Sequence, residues 1–168
     1  MTNPNKNINE LIITRIFDAP LEIVWKAWTT PYKLKKWWGP KDFTTPKIKI
    51  DFRVGGKYLY CMHGAPGPEM PEQDFWSTGV YKEIVPMRKI VVTDSFSDEH
   101  GTVISAKTLG FPGEWPLELT VTITFEEIDG KTKMALRHEG VPKGVMREMC
   151  EAGWNQSFDK LAASLIRY

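Results

Sequence analysis

The run LELTVTITFEE, residues 117–127, constrains the fold more than any other part of the chain. Leu117, Leu119, Val121, Ile123 and Phe125 fall on one side of an extended backbone, and Glu118, Thr120, Thr122, Thr124 and Glu126 fall on the other. Side chains along a strand alternate with a period of two, so this segment is a strand with one buried face and one wet face. That pattern belongs to an antiparallel sheet, because parallel strands are covered on both faces and read as continuous apolar runs. Similar signals predict strands over residues 8–17, 43–53, 57–63, 75–85, 89–96 and 131–139. Val54-Gly55-Gly56, Pro86-Met87-Arg88 and Asp129-Gly130 link them with hairpin chemistry. The two glycines in DFRVGGKY precede a strand and lack phosphate-loop spacing, so they read as a turn.

Helical periodicity appears in two places. Asp18-Ala19-Pro20 ends the first strand, and Pro20 suits the first turn of a helix whose apolar face is Leu21, Val24, Trp25 and Trp28. Thr30 as N-cap and Pro31 in the first turn restart the pattern, with Leu34, Trp37 and Trp38 as a second stripe closed by Gly39-Pro40. A long helix follows over residues 144–167. Met146, Cys150, Trp154, Phe158, Leu161 and Leu165 form its stripe, with Gly153 and Ser157 set inside it.

A meander of six antiparallel strands after the first puts all the tight turns at one end. The long links at 64–73, 97–116 and 140–144 gather at the other end, where binding sites usually lie, and His63, His100 and His138 belong there too. If Lys57 faces solvent, strand parity turns Tyr58, Tyr60 and Met62 inward and His63 outward, whereas His138 points inward with Met134 and Leu136. The histidines therefore do not converge, no HxxxH or HExxH spacing exists, and neither a metal nor any other cofactor is expected. Cys150 lies on an apolar stripe where a thiol is inert, and no GxSxG nucleophile motif is present.

Charge narrows the partners. With 22 basic and 21 acidic residues the net charge is +1, so no overall field draws nucleic acid, and Lys33, Lys35 and Lys36 read as a solvated helix face. No apolar run is long enough for a membrane span, the N-terminal MTNPNKNINE has no signal core, and two cysteines make no disulfide framework. A cytoplasmic protein is expected. The length of 168 residues suits one domain over 1–168, with 1–9 frayed.

The ordered set FDAPLEIVWKAWTTPYKLKKWW, RVGGKY, GVYKEIVPMRKIVVT, VTITFEEIDGKTKMALRHEG and GWNQSFDKLAASL resembles the Hsp90-ATPase-activator-homologue family, of the START-like or Bet v 1-like superfamily. The resemblance runs from Ile12 to Leu165. It implies an α+β helix-grip fold: a curved antiparallel sheet gripping the C-terminal helix, two short helices after strand one, and a cavity between sheet and helix. In the eukaryotic activator the domain follows an Hsp90-binding domain with an Asn- and Trp-rich motif, whereas here MTNPNKNINE precedes it.

Three functions follow as expectations. The first is binding of an apolar, aromatic or lipid-like small molecule, with the cavity lined by Trp28, Trp38, Tyr58, Tyr60, Met62, Met134, Leu136, His138, Met146, Met149, Cys150, Gly153 and Trp154. Met70, Phe75, Phe111 and Trp115 are candidates to cap its mouth. The second, implied by the resemblance, is partnership with an Hsp90-type chaperone as ATPase activator in a stress response. The third is a cyclase- or hydrolase-like enzyme using Arg53, Tyr60, Glu83, Glu118 or His138, of which Glu118 falls on the wet face. Binding rather than catalysis is the expectation.

Overall fold

A computed structural model describes residues 9–167 of the chain. Seven strands form one antiparallel sheet: β1 (Glu10–Phe17), β2 (Thr44–Ile50), β3 (Lys57–Gly64), β4 (Gln73–Val85), β5 (Lys89–Ser97), β6 (Leu119–Ile128) and β7 (Lys131–Glu139). Their order is β1-β7-β6-β5-β4-β3-β2, so β2 to β7 run as a meander and β1 joins the free edge of β7. Helices α1 (Leu21–Thr29) and α2 (Pro31–Leu34) fill the link from β1 to β2, and α3 (Val145–Ser164) follows β7. The sheet curves around α3 in the helix-grip manner.

Alternation decides what is buried. In β6, Leu119, Val121, Ile123 and Phe125 are buried while Thr124 and Glu126 are exposed. Register carries the inner row across the sheet, through Val121 opposite Val92 and His138, and Ile123 opposite Ile90 and Leu136. Against this face pack Val24, Trp25 and Trp28 of α1, Leu34, Trp37, and Phe158 and Leu161 of α3. Trp28 is the hub, with ring centroids 4.7 Å from Trp37, 6.2 Å from Phe158 and 6.3 Å from Phe125. The indole N–H groups find partners inside the core, Trp37 donating to the Ala27 carbonyl at 3.0 Å and Trp28 to Met134 Sδ at 3.1 Å.

Several bounds differ from the sequence reading. Leu117 is 60% exposed and lies outside β6, because the ladder to β5 starts only at Leu119 opposite Asp94. β2 stops at Ile50: the chain turns where Arg53 N–H donates to the Asp51 carbonyl and Gly56 N–H to that of Arg53. Pro20 sits at the cap of α1 rather than in its first turn, its carbonyl accepting from Ile23 and Val24. Thr30 caps α2 through its backbone alone, and α2 is one turn long, continued to Trp38 by isolated turns. α3 begins at Val145 and passes into a 3₁₀ turn at Leu165–Arg167. Ile8 and the rest of the N-terminal segment lie outside the described residues. Among the described residues no helix is long and apolar enough to cross a membrane.

The two ends of the sheet divide as the meander requires. The tight turns after β2, β4 and β6 share one end, and the links 65–72, 98–118 and 140–144 share the other. The longest link folds back rather than projecting: Ser105 caps a 3₁₀ turn, Ala106–Leu109, and Phe111 and Trp115 lie on Phe96 at 5.3 and 5.6 Å between centroids.

Candidate functional site

Between α3, the β5–β6 link and the long-link end of the sheet lies a cavity of about 220 Å³. Trp38, Phe96, Phe111, Trp115 and Trp154 supply aromatic walls, and Met62, Met146, Met149 and Cys150 supply sulfur-bearing ones. The helix side is open because Gly153 and Ser157 face it, flanked by Gly39 and Pro40. Methionine thioethers are polarizable and flexible, so such a wall fits varied apolar shapes. Met149, 40% exposed, stands at the rim.

The structure divides the sequence-derived lining set. Trp38, Met62, His138, Met146, Met149, Cys150, Gly153 and Trp154 meet at this cavity. Trp28, Tyr58 and Tyr60 instead border a separate void of about 40 Å³ deeper in the core, where Trp38 and Trp154 also reach. Met134 and Leu136 line neither: both are fully buried, because inner positions this far along β7 lie beneath α1, whose Trp28 meets Met134. Phe111 and Trp115 do reach the cavity, whereas Phe75 is buried between Phe43 and Phe111 and Met70 stands in the β3–β4 link away from it. Arg53 and Glu83 belong to the opposite end, paired with Asp51 and Lys89, and Glu118 is exposed.

A polar group missing from the sequence-derived set sits on the cavity floor. Asp94 faces inward from β5, in the row Ile90, Val92, Asp94 and Phe96. Its Oδ1 accepts from the Tyr58 hydroxyl at 3.0 Å, a donor shared with the Thr93 carbonyl at 2.9 Å. Its Oδ2 lies 3.2 Å from His138 Nε2. Trp154 Nε1–H donates to His138 Nδ1 at 3.1 Å, which leaves the proton of the neutral ring on Nε2. That N–H does not complete a hydrogen bond to Asp94, since the approach is close but misaligned. Among the described residues, His138 Nε2 and Arg147 Nε are the buried side-chain nitrogens left without a partner. His138 itself is 4% exposed.

Burial sets the state of the neighbouring acids. The Cys150 thiol is pushed up to about 12, first by burial and then by the Asp94 charge. Tyr58 is held well above the usual phenol value for the same two reasons in the same order. Neither group ionises near neutrality, so neither supplies a nucleophile. The other histidines face elsewhere: His63 meets Asp74 at 2.8 Å on the outer face, and His100 stands by Glu99 at 3.5 Å in the β5–β6 link.

Lys160 fixes the cavity's rim to α3. Its ammonium donates to the carbonyls of Trp38, Pro40 and Phe43 at 3.4, 3.2 and 3.4 Å, and burial lowers its pKa. Gln156 Oε1 accepts from the Lys41 backbone N–H at 3.0 Å. These bonds hold residues 38–43 against the helix, which keeps Trp38 and Pro40 in the wall.

The comparisons agree with this architecture. The family model described as "Activator of Hsp90 ATPase homolog 1-like protein" matches residues 18–165. A crystal structure of a protein from Chromobacterium violaceum is 28% identical, with a TM-score of 0.72 over 94% of this chain and 97% of that one. The AHSA1 protein from Silicibacter pomeroyi is 24% identical, with a TM-score of 0.68 over 94% and 98%. CalU16 from Micromonospora echinospora, 20% identical, gives a TM-score of 0.63 over 99% and 82%. No curated protein matches the chain.

Proposed function

Because the chain belongs to the activator of Hsp90 ATPase homolog 1-like family, we propose that it binds an apolar small molecule, aromatic or lipid-like, between the sheet and α3. The observation that carries this reading is the cavity of about 220 Å³, walled by aromatic rings and methionines and opened by Gly153. An engineered apolar cavity of roughly 150 Å³ takes up benzene, so this one suits a larger, bicyclic body. The protonated Cys150 thiol favours holding a ligand over attacking it.

Titration with an uncharged environment-sensitive dye such as N-phenyl-1-naphthylamine tests the reading, with saturation at one dye per chain expected. Gly153→Leu fills the cavity and is expected to abolish the signal. Met149→Trp, at a partly exposed rim position, is expected to weaken it without disturbing the core. Near-ultraviolet circular dichroism checks that both variants stay folded. Dye binding unchanged in both folded variants would show that the cavity is not the site. The family's description offers a second reading, stimulation of an Hsp90-type ATPase. Stimulation that survives Gly153→Leu, in a protein that binds no dye, would favour that second reading.

A further inference from the structure

We propose that the ligand of this cavity carries a hydroxyl group, held between His138 Nε2–H and the Asp94 carboxylate, on an otherwise uncharged aromatic or polycyclic body. The inference rests on the binding role proposed above and adds the chemistry at the ligand's inner end. Its starting point is the polar floor of an otherwise apolar cavity. His138 is 4% exposed, and its Nε2 has no hydrogen-bond partner. A buried N–H left unmade costs more than a made one gains, so such a group in a cavity wall marks a place for an acceptor.

Asp94 restricts which acceptor fits. Its Oδ1 takes the Tyr58 hydroxyl, while Oδ2 lies 3.2 Å from His138 Nε2 outside hydrogen-bonding alignment. The floor therefore presents one donor and one acceptor side by side. A ligand carboxylate would accept from His138 but set its charge against Asp94. A carbonyl would accept from His138 and offer Asp94 nothing. An ammonium would pair with Asp94 and leave the His138 N–H unmet. A hydroxyl is donor and acceptor in one atom, so it alone completes both contacts from one position. The ring cannot tautomerise away from this role while Trp154 Nε1–H occupies Nδ1 at 3.1 Å.

Three naphthalenes of nearly equal size test the assignment: 2-naphthol, 2-methylnaphthalene and 2-naphthylmethylamine, each titrated against the dye in competition. In the native chain 2-naphthol is expected to bind roughly tenfold or more tighter than 2-methylnaphthalene, as a hydrogen bond to a charged group implies. In Asp94→Leu, where Tyr58 retains the Thr93 carbonyl as acceptor, that preference is expected to fall to about twofold or less while 2-methylnaphthalene still binds. Retained methylnaphthalene binding shows that the variant cavity is intact. Equal binding of the naphthol and the methylnaphthalene to the native chain would overturn the hydroxyl assignment and leave the binding role standing. Tighter binding of the amine than of the naphthol would overturn it in favour of a cationic ligand. A dye signal that none of the three displaces would overturn it as well, and absence of any dye signal would remove the binding role with it.

Discussion

Asp94 stands in a strand row that is otherwise apolar, and its charge reaches Tyr58, Tyr60 and Cys150. Its charge adds to burial in holding Cys150 protonated, at about 12. A thiol near its ordinary value of 9 is an appreciable fraction thiolate at pH 8, whereas one near 12 is depleted on the order of a thousandfold. Iodoacetamide labelling of Cys150 at pH 8 should therefore be slower by about that factor in the native chain than in urea. Site-resolved mass spectrometry checks it, and native labelling at the rate of a free cysteine would refute the burial argument. His138 was legible from the sequence, since parity placed it inward with Met134 and Leu136. Asp94 obeys the same parity, with Ile90, Val92 and Phe96, but reading for apolar alternation passes over an acid in such a row. The informative signal was the interruption itself: a carboxylate on an inward face needs a partner, and here Tyr58 is one. Met134 and Leu136 misled for the converse reason, because parity gives the face and not the depth along it.

At the scale of elements, strands read more clearly than the short helices. A period of two runs unbroken through β6 and β7 and is shifted at irregularities in β2 and β4, whereas α2 has too few residues for a helical stripe to fix its length, and Trp37 and Trp38 are placed by turns and packing. Glycines inside elements show the same limit. Gly79 in β4 reads as a weak strand residue, yet a Cβ there would lie 1.9 Å from the Thr93 carbonyl oxygen and 2.5 Å from the Tyr58 ring. The close approach of β5 and the Tyr58 ring both depend on the missing side chain. Gly79→Ala is therefore expected to lower unfolding stability by about 3 kcal/mol. Gly153 differs: a Cβ there meets only Pro40 Cγ at 3.4 Å, ordinary contact distance. Gly153→Ala should stabilise α3 by about 0.5–1 kcal/mol, as helix propensity dictates. Urea unfolding of the two alanine variants separates them, and a stability loss of similar size in both would contradict the difference in packing around the two glycines.

For the molecule as a whole, the meander accounts for where things lie. Tight turns at one end leave the long links, the rim and the polar floor at the other, and this division was legible from link lengths alone. What periodicity could not supply was whether sheet and helix close fully, since the opening depends on Gly153, Ser157 and the inward fold of Phe111 and Trp115. Enclosing so many weak acids also has a pH consequence. Cys61 is pushed up to about 11 and Cys150 to about 12, mainly by burial, and Tyr58, Tyr60 and Tyr81 are raised above 10 for the same leading reason. Each of these groups holds its proton more tightly in the folded chain than in the unfolded one. Above about pH 9, where unfolded thiols ionise, the folded state binds more protons and stability must fall with rising pH. The contribution is complete below that value and drains through the window up to about 12. Each of these thiols still protonated adds a slope approaching about 1.4 kcal/mol per pH unit. Urea unfolding at pH 7.5, 9 and 10.5, chosen as round points across the window, is expected to show a flat stability turning downward near 9. Cys150→Ala should make the alkaline descent shallower even though it lowers stability at neutral pH. A native chain whose stability stays level to the top of that range would mean that these groups ionise as freely inside as out, and that the core is wetter than its packing allows.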